Sequence, residues 1–308
     1  MLLYLPIAEI SVNVFVIVAM GAAVGFLSGL FGVGGGFLIT PLLIFYNIPP
    51  AVAVATGANQ VIAASFSGAL AHYKRGTVDL KLAAVLIAGG IVGSAIGVWI
   101  YTLLRRIGQL DLAVSILYVL LLGTVGGLML AESVQAMRRV KGGGSGEVRR
   151  GHHNWVHRLP LKLRFKRSKL YVSALPVLGL GAAIGILGSV MGVGGGFILV
   201  PAMIYLLRVP TSVVIGTSLV QIMATAAITT ILQAATNETV DVVLAFLLML
   251  GGVVGAQFGA QAGGKLRGEQ LRALLALLVL MVAARLLVEL AVVPGDIFSI
   301  ALPNGGEG

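Results

Sequence analysis

The segment GFLSGLFGVGGGFLITP at residues 25–41 occurs a second time, as GILGSVMGVGGGFILVP at residues 185–201. The order of the sequence that follows is repeated as well, because TVD at residues 77–79 recurs at residues 239–241. Self-similarity at a fixed period, here roughly 160 residues, is typical of a chain that contains two copies of one structural unit. The sequence therefore predicts two homologous repeats.

The composition of the chain places these repeats in a membrane. Hydrophobic residues make up 58% of the chain and charged residues 10%, and the mean hydropathy is +1.04. Residues 10–71, 171–207 and 242–264 contain no Asp, Glu, Lys, Arg or His. Each of these stretches is longer than the roughly 20 apolar residues that cross a bilayer. The sequence therefore predicts an all-α integral membrane protein and argues against a soluble fold.

Each repeat is expected to contain a first helix, a glycine break, a short second helical segment and three further helices. The predicted helices cover residues of about 10–31, 36–46, 51–72, 81–104 and 110–132 in the first repeat, and about 172–190, 196–207, 211–235, 241–264 and 270–292 in the second. The predicted domains are residues 1–135 for the first transmembrane repeat, 136–170 for a basic linker, 171–293 for the second repeat and 294–308 for a short tail.

The positive charge of the chain predicts its orientation. The net charge is +10, and eleven of the 21 Lys and Arg residues lie in residues 138–169. Positive loops stay in the cytoplasm, which explains this charge more simply than binding to nucleic acid does. Both ends of the chain lack Lys and Arg and are expected outside. This arrangement requires an odd number of crossings per repeat, or a re-entrant hairpin, and makes the repeats inverted. Four crossings per repeat, with parallel repeats, are the alternative.

Glycines at every fourth position form a bare stripe along three of the predicted helices. Such stripes allow helix backbones to approach each other closely. The stripes consist of Gly21, Gly25 and Gly29, of Gly89, Gly93 and Gly97, and of Gly251, Gly255, Gly259 and Gly263.

The nearly continuous glycines at residues 32–36 and 192–196 have a different role. Each glycine costs about 1 kcal/mol in a helix interior, so three in succession are expected to break the helix. Irregular backbone inside a membrane is tolerated where it lines a cavity, and the N-terminus of a short helix presents free N–H groups that attract anions. The alternative is a tight helix hairpin in which water or side chains satisfy these amides.

Polar residues inside the apolar helices are the next candidates. Their spacing of three and four residues places each group on one helix face, which must point into the bundle because unpaired polar groups are costly in hydrocarbon. These side chains bind either the substrate or neighbouring helices. The groups are Thr56, Asn59 and Gln60 in the first repeat and Thr217, Ser218 and Gln221 in the second.

Enzymatic chemistry has no support in the sequence. The chain has no Cys, and three of its four His lie in the basic linker, so we expect neither a metal nor a cofactor. Asp79 and Asp241 open predicted helices and are expected to cap them, which leaves no obvious carrier for a buried proton relay.

The doubled G-x-G-G-G-F-x-x-x-P pattern, each copy followed by a Thr-containing helix, resembles the TauE/SafE family of membrane permeases, although the long basic linker departs from the compact members. The resemblance implies export or uptake of sulfite, of a sulfonate such as sulfoacetate, or of a related small anion across the cytoplasmic membrane. Because the sequence has no nucleotide-binding motif, we expect secondary or facilitated transport. An anion channel that uses the same amides as a filter is the alternative. A homodimer is compatible with the sequence.

The predicted substrate-binding residues combine the two glycine segments with the polar groups on the helices. They are Gly32, Val33, Gly34, Gly35, Gly36, Thr56, Asn59, Gln60, Gly192, Val193, Gly194, Gly195, Gly196, Thr217, Ser218 and Gln221.

Overall fold

A computed structural model describes residues 2–31, 33–141, 162–165, 167–168, 170–207, 209–263 and 268–291. The predictions for Gly32, for the central part of the linker and for the tail lie outside the described residues.

The two repeats have the same order of elements, a hairpin of two short strands followed by five helices. The first repeat contains β1 (Leu2–Leu5), β2 (Ile10–Asn13), α1 (Val14–Phe31), α2 (Gly36–Phe45), α3 (Pro50–Lys74), α4 (Leu80–Arg106) and α5 (Leu110–Lys141). The second contains β3 (Lys162–Phe165), β4 (Leu170–Ser173), α6 (Ala174–Met191), α7 (Gly196–Tyr205), α8 (Thr211–Asn237), α9 (Val242–Gly263) and α10 (Gly268–Ala291). The prediction of a helical protein with two matching halves agrees with this order.

The hairpins are the main difference from the predicted elements. The predicted start of the first helix near residue 10 is wrong, because Ile10–Asn13 pairs with Leu2–Leu5 in an antiparallel hairpin. The side-chain oxygen of Asn13 accepts a hydrogen bond from the N–H of Phe15 at 3.1 Å, so the helix begins after this capping residue. Four-residue strands in an apolar stretch are too short for their period to be distinguished from that of a helix.

Six helices are long and apolar enough to cross a membrane, counted over the described residues. Large apolar side chains point outwards from these helices, including Trp99 at 67% exposure and Phe246 at 61%. An exposed apolar surface of this kind suits contact with lipid. The fold is therefore that of a multi-pass membrane protein.

The predicted glycine stripes are confirmed as helix contacts at every member except Gly263, which the contacts do not cover, and each joins one repeat to the other. On α1, a methyl group at Gly21 would lie 2.6 Å from the carbonyl oxygen of Leu248, and one at Gly29 would overlap the carbonyl of Ala256. The residue numbers of the contacts on α9 rise as those of the glycines on α1 rise, so the two helices run in the same direction. The stripe on α4 packs in the same manner against α6.

Helices α3 and α8 occupy corresponding places in the two repeats and pack against each other in opposite directions. The side chain of Leu219 lies beside Gly68, whereas Gly216 lies beside His72 one turn later on α3. From the first contact to the second, the residue number rises on α3 and falls on α8, so the two helices are antiparallel. This pair thus forms a direct contact between the two repeats.

Candidate functional site

The two glycine segments lie between consecutive helices. Helix α1 ends at Phe31 and α2 begins at Gly36, with Gly34 at φ 85° and Gly35 at φ 70°. In the second repeat α6 ends at Met191 and the corresponding glycines also have positive φ. Residues with a Cβ rarely adopt this conformation, so glycine is required in both segments.

The two segments also pack against each other. A methyl group at Gly36 would overlap the carbonyl of Val193, and one at Gly196 would overlap the carbonyl of Val33. Directly after each segment, the rings of Phe37 and Phe197 stack with their centroids 4.9 Å apart. Residues 33–36 and 192–196 are buried.

The N–H groups of Gly34 and Gly35 in the first segment lack partners in the described part of the chain. The first hydrogen bonds of α2 run from the N–H groups of Leu38 and Ile39 to the carbonyl of Gly35, at 3.1 and 3.4 Å. The N–H groups of Gly34 and Gly35 bond to none of the described residues. Free amides at the start of a helix carry a partial positive charge, which attracts anions.

Gln60 on α3 and Gln221 on α8 are the most unusual polar residues of the interior. Both side chains are 0% exposed, and the oxygen and nitrogen of both amides lack a hydrogen-bond partner. The Gln60 amide nitrogen lies 3.0 Å from the position of a Cβ on Gly252, and the Gln221 nitrogen lies 3.4 Å from that on Gly90. Gly252 and Gly90, each directly after a glycine of a stripe, thus make room for the two amides. Unpaired buried polar groups are rare in native proteins, so this pair requires an explanation.

Thr56 and Thr217 connect the two repeats. The hydroxyl oxygen of Thr56 accepts a hydrogen bond from the backbone N–H of Asp241 at 3.0 Å, and that of Thr217 accepts one from the N–H of Asp79 at 3.1 Å. Each threonine therefore holds the start of a helix in the opposite repeat.

Asn59 and Ser218 make local hydrogen bonds. The amide of Asn59 donates to the carbonyl of Thr56 at 3.3 Å, and the hydroxyl of Ser218 donates to the carbonyl of Ile215 at 3.0 Å. Their direct bonds thus lie within their own helices.

The predicted capping role of Asp79 and Asp241 is confirmed. One carboxylate oxygen of Asp79 accepts from the N–H of Leu82 at 3.3 Å, and one of Asp241 accepts from the N–H of Leu244 at 3.0 Å. These bonds satisfy free amides at the starts of α4 and α9.

The same two carboxylates bind the strand hairpins of the opposite repeats. The second oxygen of Asp79 accepts from the hydroxyl of Ser168 at 2.8 Å and from its N–H at 3.0 Å. The second oxygen of Asp241 accepts from the N–H of Ile7 at 3.1 Å. Arg167 adds a bond of 2.9 Å to the carbonyl of Gly76, so the hairpin β3–β4 covers the loop between α3 and α4.

Two serines at the first glycine segment were missed by the sequence analysis. Ser28 is 1% exposed and Ser65 is 0% exposed, and neither hydroxyl has a hydrogen-bond partner. The Ser65 oxygen lies 3.3 Å from the position of a Cβ on Gly34, and the Cβ of Ser28 lies 3.0 Å from that on Gly35. Small polar residues are common in membrane helix contacts, so the sequence alone contained no clear signal for them.

Known proteins resemble the chain over most of its length. The family model described as Sulfite exporter TauE/SafE matches residues 17–286. A protein of Xylella fastidiosa (strain Temecula1), named "Probable membrane transporter protein", is 32% identical over 275 residues, which cover 88% of this chain and 94% of that protein. The "Probable membrane transporter protein YunE" of Bacillus subtilis is 24% identical over 282 residues, covering 89% and 97%.

A shorter match of 34% identity over 88 residues, 29% of this chain and 20% of that protein, is to the "Sulfite exporter TauE/SafE family protein 1" of Arabidopsis thaliana. No solved structure shows significant similarity to the chain. The extent of the family match, together with the multi-pass helical fold, shows that the chain belongs to the TauE/SafE family of membrane transporters.

Proposed function

We propose that this transporter moves a small anion, a sulfur oxyanion or organosulfonate such as sulfite or sulfoacetate, across the cytoplasmic membrane. The observation that supports the proposal best is the pair of buried, unpaired amides of Gln60 and Gln221. Leaving a buried donor or acceptor unsatisfied costs about 1–3 kcal/mol per group. A cargo that accepts hydrogen bonds would compensate for this cost, and an anion accepts them most strongly.

We further propose that the two repeats are inverted. A twofold operation that exchanges the repeats must place α3 on α8, and these neighbouring helices are antiparallel. Such an operation requires an axis perpendicular to the helices, which in a bilayer lies in the membrane plane. The contact between Arg167 and Gly76 supports the same topology, because it brings the end of the basic linker to the loop after α3.

Cysteine labelling tests this topology, since the chain contains no native Cys. We expect Pro6→Cys and Lys74→Cys, both at exposed positions, to react with a membrane-impermeant maleimide from opposite sides of the membrane. The exposed Gln109→Cys is the control, because the single helix α4 separates it from Lys74 in either topology. Labelling of Pro6→Cys and Lys74→Cys from one side would support parallel repeats and contradict the proposal.

The mechanism we propose is alternating access by movement of one repeat against the other. The two glycine segments pack against each other, and each end of the bundle has its own bond between a hairpin and an aspartate. Two separate closures of this type are typical of a carrier, which opens one end at a time.

Counterflow in proteoliposomes distinguishes a carrier from the alternative, an anion channel. We expect unlabelled sulfite inside the vesicles to accelerate the entry of radiolabelled sulfite, since a loaded carrier returns faster than an empty one. Vesicles without protein give the background. Anion current without counterflow would support the channel, and the absence of flux for sulfite, sulfonates and other small anions would contradict the proposed function.

A further inference from the structure

The two glycine segments have different surroundings. Ser28 is the fourth residue of the repeated segment, and Gly188 takes that place in the second repeat. Ser65 follows Gln60 by five residues, and Ala226 follows Gln221 by the same five. The two unpaired hydroxyls beside the first segment therefore have no counterparts in the second repeat.

The neighbours of the second glycine segment are apolar. A Cβ on Gly194 would meet the side chains of Val61 and Ile222, and one on Gly195 would meet Ile184. The serine nearest to this segment in the sequence, Ser189, is paired with Thr229 at 2.7 Å. Free hydroxyls thus lie beside the first segment and not beside the second, within the described residues.

The charge of the interior limits what such a site can hold. Among the described residues, Asp79 and Asp241 are the only buried side chains with an ionisable acid or base, apart from tyrosines, and both are hydrogen-bonded at helix starts. No buried Lys, Arg or His accompanies them in this part of the chain. A bound anion would have neutral donors around it and no cationic side chain.

The desolvation of an ion in a low-dielectric site grows with the square of its charge, so a divalent anion loses about four times as much hydration energy as a monovalent one. The partial charge at the start of a helix, equivalent to about half an elementary charge, compensates a single negative charge far better than two. The interior therefore favours a monovalent anion.

We propose that the cargo is a singly charged oxyanion bound at the first glycine segment, by the N–H groups of Gly34 and Gly35 and the hydroxyls of Ser28 and Ser65. Helix α2 (Gly36–Phe45) presents its N-terminus to this site. The proposal rests on the proposed function and narrows its cargo to monovalent anions. Hydrogen sulfite and simple sulfonates carry one negative charge and meet this condition, whereas sulfite, sulfate and sulfoacetate are dianions and do not.

Methanesulfonate and sulfate test the charge, since both are tetrahedral sulfur oxyanions but carry one and two negative charges. We expect calorimetric titration of the purified full chain to give a Kd for methanesulfonate at least about tenfold below that for sulfate. Sulfite binding is expected to weaken as the pH rises and hydrogen sulfite loses its proton, while methanesulfonate binding stays constant. Equal or tighter binding of sulfate would overturn the charge preference and leave the proposed function standing.

Serine variants test the location. We expect Ser65→Ala and Ser28→Ala each to raise the Kd for methanesulfonate by about tenfold or more, the effect of one lost hydrogen bond to a charged group. Ser67→Ala is the matched control, because Ser67 lies on the same helix as Ser65 but is partly exposed. We expect its Kd to be unchanged. Neither serine variant should have a Tm below that of the wild type, because neither hydroxyl has a structural partner to lose.

Wild-type affinity in both serine variants would overturn the assigned site. Failure of the wild-type chain to bind or transport any anion would instead contradict the proposed function itself, so the two failures are distinguishable.

Discussion

Replacement of Gln60 or Gln221 by leucine is expected to stabilise the protein and to slow transport strongly. Both side chains are fully buried with all four amide atoms unpaired. Substitution of an unsatisfied polar group by an apolar one of similar size removes a penalty of about 1–3 kcal/mol. We expect each variant to have a higher Tm in detergent than the wild type, and anion flux in proteoliposomes reduced about tenfold or more, because a donor to the cargo is lost.

Gln233 is the matched control for this prediction. It lies on α8, as Gln221 does, and is also 0% exposed, but its amide oxygen accepts from Asn237 at 2.8 Å and its nitrogen donates to the carbonyl of Ser189 at 3.4 Å. Gln233→Leu should therefore lower Tm, since Asn237 and the carbonyl of Ser189 each lose a hydrogen bond. If Gln60→Leu and Gln221→Leu lowered Tm as Gln233→Leu does, their amides would have structural partners in the membrane and the proposed role would be wrong.

Addition of one methyl group to the glycine stripes is expected to have the largest effect on stability. The Cβ of Gly93→Ala would overlap the carbonyl oxygen of Ala182, and that of Gly255→Ala would overlap the carbonyl of Ala22. Backbone cannot move aside as a flexible side chain does, so the helices must separate. Overpacking of this kind costs about 1–3 kcal/mol, and a lost backbone contact along the whole stripe adds to it.

Gly127→Ala provides the control for the stripe variants. Gly127 lies inside helix α5, and a Cβ there has no atom within 4 Å. This variant should be neutral or stabilised by up to about 1 kcal/mol, because alanine is the better helix former. Tm measurements in detergent and the amount of folded protein in membranes compare the three variants. Equal Tm values for all of them would contradict the close α4–α6 and α1–α9 contacts.

The glycine stripes illustrate how much of the fold was predictable. A period of four in apolar helices has one physical use, close backbone contact, so the stripes could be assigned from the sequence before their partners were known. The partners were not predictable, because every stripe packs against the opposite repeat: Gly21 contacts Leu248, more than 200 residues away.

The predicted substrate-binding residues illustrate the opposite case. Thr56 and Gln60 lie one turn apart on α3 and are indistinguishable by pattern. In the structure the hydroxyl of Thr56 accepts from Asp241, whereas the amide of Gln60 has no partner. Which of two polar residues is free for a cargo depends on what the other repeat places beside it.

The sequence by itself determined the helical membrane fold, the two repeats and the positions of the glycine segments, because hydropathy, periodicity and backbone freedom are properties of short stretches of chain. The tertiary structure alone decided which helix of the opposite repeat packs against each stripe, where the hairpins bind and which buried donors lack partners. These features depend on contacts between residues that lie far apart in the chain, and no local pattern specifies such contacts. The unpaired hydroxyls of Ser28 and Ser65 beside the first glycine segment are a feature that only the tertiary structure decided.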